Sequence, residues 1–362
     1  MDVSNRPPAN SFVTFARKIY KPVGFSKGYN FILWFIFLGA FLGFTLARLQ
    51  YLDFYGNFCR PGNNGAGPGE CFYWLQGHYR VGMILHLGCI LPAALLACIQ
   101  FIPVVRYKAM IVHRVNGHVV ILLSLVATAG AFMVARRSYG GGIDIQVGVG
   151  LLGIGFLVAL VIAYINIKRL QIEQHRAWML RAWFWAGSII TVRIIMILAA
   201  LILPMTGTYY VAQPCDKIQW TFNQGGLSND QMLLSYPACA AFLSGEVMDQ
   251  HATAKVDFSG AQDAIQVSAA FDFIFGTALW LAFALHVIGV ELYLHLTPAE
   301  AERLRKVSYQ KQLEAGMKHP GRAGLTADRL GDAPIWTPHN DNSSRQDEPA
   351  RSWSVAPQGI TE

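Results

Sequence analysis

Charge is scarce in this chain. Only 14% of its residues are Asp, Glu, Lys or Arg, against about 25% in a typical soluble domain. Catalytic signatures of soluble enzymes are missing too: there is no Gly-rich phosphate loop, no Cys-x-x-Cys zinc spacing, no Gly-x-Ser-x-Gly elbow and no Asp-rich metal box. These absences argue against a soluble nucleotide, zinc or serine-hydrolase enzyme, and no metal or other cofactor is expected. The first apolar run, Phe31–Leu49, is too long for a signal-peptide core and ends without a small-x-small cleavage site, so it reads as an uncleaved signal anchor.

What is present is apolar sequence. Hydrophobic residues make up 53% of the chain. Six runs, near 30–48, 81–103, 115–135, 146–167, 178–203 and 270–293, approach or exceed the roughly 20 residues needed to cross a bilayer. The expected fold is all-α, a polytopic transmembrane helix bundle of six to seven spans. Segment 1–29 is expected to be cytoplasmic, 30–296 to form the bundle with lumenal loops 49–80 and 204–269, and 297–362 to be a cytoplasmic tail, largely disordered after a charged helix at Ala299–Met317.

The cations set this orientation. Of 29 Lys and Arg, 21 fall in segments 1–30, 104–114, 168–181 and 297–362, and only 7 in the alternate segments. Positive residues favour the cytoplasmic side. The net charge of +7 is therefore a topology signal scattered over loops, and no nucleic acid is expected as a partner. The protein is expected in the endoplasmic reticulum or another endomembrane. Cys59 and Cys71 share one outer loop and Cys215 and Cys239 the other, which suggests two lumenal disulfides. Within 204–269, Met232–Phe242 is apolar but too short to span, and reads as re-entrant or interfacial.

Charges inside the spans are costly and mark either a partner or a task. Arg193 lies 15 residues past Trp178, about 22 Å along a helix, beyond the midplane. Asp272 opens the last span. A buried Arg193–Asp272 pair, or Arg193 facing a polar cavity, accounts for both. With His86 and Arg136 they would form a lumenal-side polar layer. His113, Arg114, His118, His175, Arg176, Arg181, His286 and Glu291 occupy the opposite layer. Arg114, Arg176 and Arg181 also suit plain headgroup anchors. Gly117, Ser124, Thr128 and Ala131 make a stripe suited to helix packing.

Two motifs carry a resemblance. His113-Arg114-x-x-Gly117, a glycine turn at Gly140–Gly142, His175-Arg176-x-Trp178-Met179-x-Arg181 and Arg193 resemble a polytopic membrane family of unknown function found in bacteria and fungi. The likeness covers roughly 80–205 and departs at His118, where an Arg is expected. The chain is also similar in size and span count to fungal membrane-bound terpene cyclases of meroterpenoid pathways, of the ascofuranone type. That similarity implies acid-promoted cyclisation of an epoxidised prenyl chain on an aromatic ring, with a lipid-soluble substrate and pathway enzymes as partners. Asp272, Glu246 or a protonated His86 would supply the acid, Arg193 a fixed cation, and Trp183, Trp185, Phe271, Phe273 and Trp280 the pocket wall. One rival is a b-type haem electron carrier ligated by His118 and His286, which should lie at similar depth. A second is a transporter.

Topology gives the first prediction. The only Asn-x-Ser/Thr sequence is Asn342-Ser343-Ser344 in the tail, so Asn342 should carry no glycan in the native protein. A glycosidase-sensitive mass shift at that site would place the tail in the lumen and reverse the orientation.

Overall fold

The computed structural model describes residues 10–25, 27–62, 65–258 and 263–338; Asn342 lies outside them. Among the described residues six helices are long and apolar enough to cross a membrane. The protein is a multi-pass helical membrane protein. The chain forms two compact units, Met1–Val161 with Trp178–Leu296, and Ile162–Ala177 with Thr297–Glu362.

In chain order the helices are α1 (Ser11–Tyr20), α2 (Gly28–Arg48), α3 (Cys71–Trp74), α4 (Gly77–Gln100), α5 (Pro103–Lys108), α6 (Met110–Val134), α7 (Ile143–Lys168), α8 (Ile172–Thr206), α9 (Cys215–Gln224), α10 (Asn229–Ser235), α11 (Ala240–Leu243), α12 (Ala264–His295), α13 (Pro298–Glu314) and α14 (Ala327–Leu330). Strands β1 (Tyr210–Pro214) and β2 (His251–Lys255) pair antiparallel and form the one sheet among the described residues. The spans are α2, α4, α6, α7, α8 and α12, with α2 and α6 continuing into 3₁₀ turns. At 35 and 32 residues, α8 and α12 run about 52 and 48 Å. Both outreach a hydrocarbon core of about 30 Å, so each stands partly outside it.

Helix packing in lipid relies on close approach. A Cβ on Gly130 of α6 would lie 2.5 Å from the Gly82 carbonyl oxygen and 2.7 Å from the His86 nitrogen of α4. The small-residue stripe of α6 is buried at Ser124 and Thr128 as expected, with Ala127 and Gly130 beside them. Gln100 donates to the His113 carbonyl and Asn116 to the Leu96 carbonyl, both at 2.9 Å, fastening the other end of this helix pair.

Both expected disulfides are present, Cys59–Cys71 and Cys215–Cys239. The second sits in a core of its own with Ile218, Phe222, Met232, Tyr236, Ala252 and Ile265. Within Met232–Phe242, read from sequence as re-entrant or interfacial, Met232, Tyr236 and Cys239 turn into this core while Leu234 is exposed. Met232 is fully buried in that core, and Ser228 caps α10 through a reciprocal capping box.

The described part of the tail, residues 297–338, is more ordered than its composition suggests. Beyond α13, residues as far as Trp336 are tied down by side chains. Gln312 Oε1 accepts from Gly321 N, Asp328 pairs with Arg305 at 2.7 Å, and Trp336 donates to Glu302 at 3.0 Å. Gln171, Glu173 and Ser308 form a buried network in the same unit. Backbone groups satisfied by buried Gln and Asp side chains replace the apolar core that composition alone looks for.

The Cys215–Cys239 bridge closes a 24-residue separation around this small core. Replacing both cysteines by Ser should cost about 2–5 kcal/mol of stability. A detergent-solubilised double variant melting at the wild-type temperature would show that the core holds without it.

Candidate functional site

Two loops converge on one end of the spans. Segment 49–80 contributes Glu70 and Tyr73, and segment 204–269 contributes Gln213 and Lys217. The turn between α6 and α7 contributes Tyr139, α8 Arg193 and α12 Asp272. Lys217 is 1% exposed and Glu70 2%. Lys217 Nζ is 3.2 Å from Asp272 Oδ2 and 3.9 Å from Glu70 Oε1. Gln213 donates to the same Asp272 oxygen at 2.9 Å. Two carboxyl groups thus share one ammonium out of water.

Local sequence explains the convergence. Glu70 immediately precedes Cys71, and Lys217 follows Cys215 by two residues, so each charge is anchored beside a disulfide. Gly69, with φ +75°, lets Lys217 lie against the backbone; a Cβ there would meet Lys217 Cε at 2.6 Å. Tyr139 adopts φ +47° at the expected Gly140–Gly142 turn. Its N–H donates to Glu70 Oε2 at 3.0 Å, and its hydroxyl accepts from Arg193 Nη1 at 2.7 Å. The Arg193 guanidinium also stands 5.0 Å from the Tyr139 ring centre and 5.5 Å from that of Phe275. Arg137 stacks on Tyr73 at 4.9 Å.

The electrostatics follow from charge supply. Burial raises the Glu70 pKa to about 8; Lys217 opposes the rise and the nearby Asp272 charge adds to it. Glu70 is thus a neutral carboxylic acid at pH 7. Burial also acts against the Lys217 ammonium, yet Asp272 and Glu70 outweigh it and raise its pKa. Burial pushes the Tyr73 phenol upward as well. Glu70 Oε1, Asp272 Oδ1 and Ser268 Oγ are all buried without a hydrogen-bond partner. Such orphaned polar atoms cost free energy and are unusual in a packed interior.

The expected residues distribute unevenly. Arg193 and Asp272 both belong to the cluster, but not as a pair: Asp272 takes Lys217, and Arg193 takes Tyr139. His86 bonds the Ala127 carbonyl through Nδ1 at 2.9 Å and lies within electrostatic reach of Arg193. Arg136 instead binds the Gly141 carbonyl at 3.2 Å and braces the turn. Glu246 is exposed in a turn after α11. Of the expected wall aromatics, Phe271 meets Tyr139 edge-on at 6.2 Å. Trp183 packs on Phe41 and Phe156, Trp185 on Phe283, Phe273 on Tyr209, and Trp280 donates to the Asp144 carbonyl.

At the opposite layer, Arg181 forms a two-pronged pair with Glu291, at 2.6 and 2.9 Å, and lies over the Trp178 ring. The pair ties α8 to α12 at a partly exposed position. His175 Nδ1 meets the Ala163 carbonyl at 3.0 Å, and Arg176 beside it is half-buried. His113 is half-buried and Arg114 exposed. The haem pairing does not fit the ring environments. His118 is exposed with Nδ1 on the Arg114 carbonyl, and His286 has Nδ1 on the Phe184 carbonyl and Nε2 on Thr191 Oγ1. His286 has no free nitrogen for iron. No group of three or more His, Cys, Asp or Glu suited to a metal ion occurs among the described residues.

Glu70, Tyr139, Gln213 and Lys217 were not singled out by sequence reasoning, because polar loop residues ordinarily read as solvated. For Glu70, Gln213 and Lys217, closeness to Cys71 and Cys215 was the available signal; for Tyr139 it was the neighbouring glycine turn.

Comparison with known proteins adds two findings. Residues 83–215 match the family described as a predicted membrane protein (DUF2306). The chain is also similar to "Ava biosynthesis cluster protein G" of Aspergillus versicolor, 25% identical over 350 residues, covering 82% of this chain and 97% of that one. No solved structure matches the chain.

The Glu70 pKa yields a test with a defined sign. Its folded value, about 8, stands above the ordinary 4.5. Between those limits the folded state keeps a proton that the unfolded chain has released. Stability therefore falls as pH rises across that window, by up to ~1.4 kcal/mol per pH unit. Glu70→Gln should flatten this dependence and remove a protonated-carboxyl infrared band at pH 7. An unchanged band in the variant would assign the proton elsewhere.

Proposed function

We propose that this protein is an integral membrane enzyme of secondary metabolism that cyclises an epoxidised prenyl chain carried on an aromatic ring, by acid promotion. The observation that supports this reading is Glu70: a buried carboxyl whose Oε1 has no hydrogen-bond partner, its pKa raised by burial, beside an ion-paired carboxylate and aromatic faces. The biosynthetic setting is suggested by the relative named for a biosynthesis cluster.

The chemistry divides among the residues. The Glu70 hydroxyl gives its proton to the epoxide oxygen as the C–O bond opens. The prenyl double bond attacks the electron-poor carbon, forming the ring bond. The final cation loses a proton, or an internal hydroxyl adds and loses one, to the resulting Glu70 carboxylate or to Asp272. One proton is given and one returned, so product and substrate are isomers. Tyr139, Phe271 and Phe275 present ring faces and edges to positive charge developing along the chain. Lys217 and Gln213 hold Asp272, while Arg193 holds the Tyr139 ring in place. His86 stands behind Arg193 as a positioning residue, and Glu246 takes no part.

The assay is conversion of epoxidised farnesyl-aromatic substrates by microsomes containing the protein. Glu70→Gln should lower turnover by ~10²-fold or more, Asp272→Asn and Arg193→Ala should also lower it strongly, and Glu246→Gln should leave it unchanged. Wild-type activity should fall as pH rises through about 8, where Glu70 loses its proton. Full activity in Glu70→Gln at matched expression would falsify the acid assignment. Absence of cyclised product from wild type across several such epoxides would overturn the function itself.

A further inference from the structure

Helix α1 is short, and none of its residues is buried. Phe12, Phe15 and Ile19 are 76, 62 and 48% exposed. At 100° per residue these three fall within one narrow arc. Thr14, Arg17, Lys18 and Lys21 fall on the opposite arc. The helix is thus divided into an apolar edge and a basic face, and it carries no acidic residue in its first turn.

Its position is fixed by its surroundings. Tyr20 and Phe25 pack on Phe31, and Phe25 on Trp34, tying the end of α1 to the start of the first span, α2. Trp34 donates to the Phe101 carbonyl at 2.9 Å, and Val104 N to the Val23 carbonyl at 3.2 Å. The corner between α1 and α2 is therefore docked on the turn between α4 and α5, at the ends of two spans. That places α1 beside the bilayer surface, on the side to which the positive-residue bias assigns the cytoplasm.

We infer that α1 lies in the headgroup layer of an anionic leaflet, with Phe12, Phe15 and Ile19 in the acyl boundary and Arg17, Lys18 and Lys21 drawing acidic lipid headgroups. An apolar edge, a basic face and low overall hydrophobicity are the features of an in-plane interfacial helix. Each Lys or Arg adds attraction to acidic lipid within a Debye length of the surface. The acidic lipid surface is favoured over a second protein because the bilayer is already at hand where α2 enters it, and because the charges on α1 are of one sign.

The test uses the full chain reconstituted in vesicles of phosphatidylcholine alone or mixed with phosphatidylserine. Nitroxide labels are placed at Phe15→Cys or Arg17→Cys, with Cys89 and Cys98 replaced by Ala. Collision with oxygen should exceed collision with a water-soluble nickel complex several-fold at position 15, and the reverse should hold at position 17. The contrast should be greater with phosphatidylserine and shrink in high salt. Charge reversal of Lys18 and Lys21 to Glu should remove the lipid preference while leaving the folded bundle, read by its melting temperature, unchanged. Equal aqueous exposure at both positions would overturn the inference. So would a label at 15 shielded from both reagents, which would mean that protein covers this edge.

Discussion

One lysine serving two buried carboxyl groups is the constraint on which this end of the molecule depends. Lys217 cannot fully neutralise both Asp272 and Glu70, and in a medium of low dielectric an unbalanced charge is expensive. The imbalance is resolved by keeping one proton, on Glu70. Everything around the cluster serves that outcome. Each disulfide closes its own loop beside one of the charges, the left-handed backbone at Tyr139 delivers a hydrogen bond to Glu70, and Gln213 fixes the Asp272 oxygen that faces the lysine. Removing any one partner would leave an unpaired polar group indoors.

Arg193 belongs to the same logic by a different route. Its charge is dispersed over two aromatic rings and one phenol oxygen rather than met by a carboxylate. Cation–π contact is a low-cost means of keeping a guanidinium out of water without fixing a counter-ion beside it. The carboxylate that sequence position offers to Arg193 is thereby left for the lysine.

Much of the architecture was legible because the bilayer imposes a length and an apolar composition that few other contexts produce. Six runs became six helices, and Cys59, Cys71, Cys215 and Cys239 paired as loop proximity suggested. Arg193 and Asp272 stood out because charge in a span is conspicuous. Glu70 and Lys217 did not, since in a loop a charge is ordinary; only the fold shows that these loops bury theirs. The partner choice of Arg193 was illegible for the same reason, as it depends on where Tyr139 is turned. The tail misled in the opposite sense. Its Gly, Pro and polar content resembles an unstructured chain, yet Gln312 and Asp328 hold its backbone through hydrogen bonds that leave no periodic trace.

The order of the cluster's parts along the chain bears on how it is made. Glu70 is synthesised first, Tyr139 and Arg193 later, Lys217 after them, and Asp272 only as the last span begins. During translation the first four are present without the residue that completes the charge balance. Insertion of α12 is therefore the step that brings the second carboxyl to Lys217; until then Glu70 is the carboxyl set beside it. Completion of the charge cluster and completion of the membrane bundle thus fall at the same point of the chain.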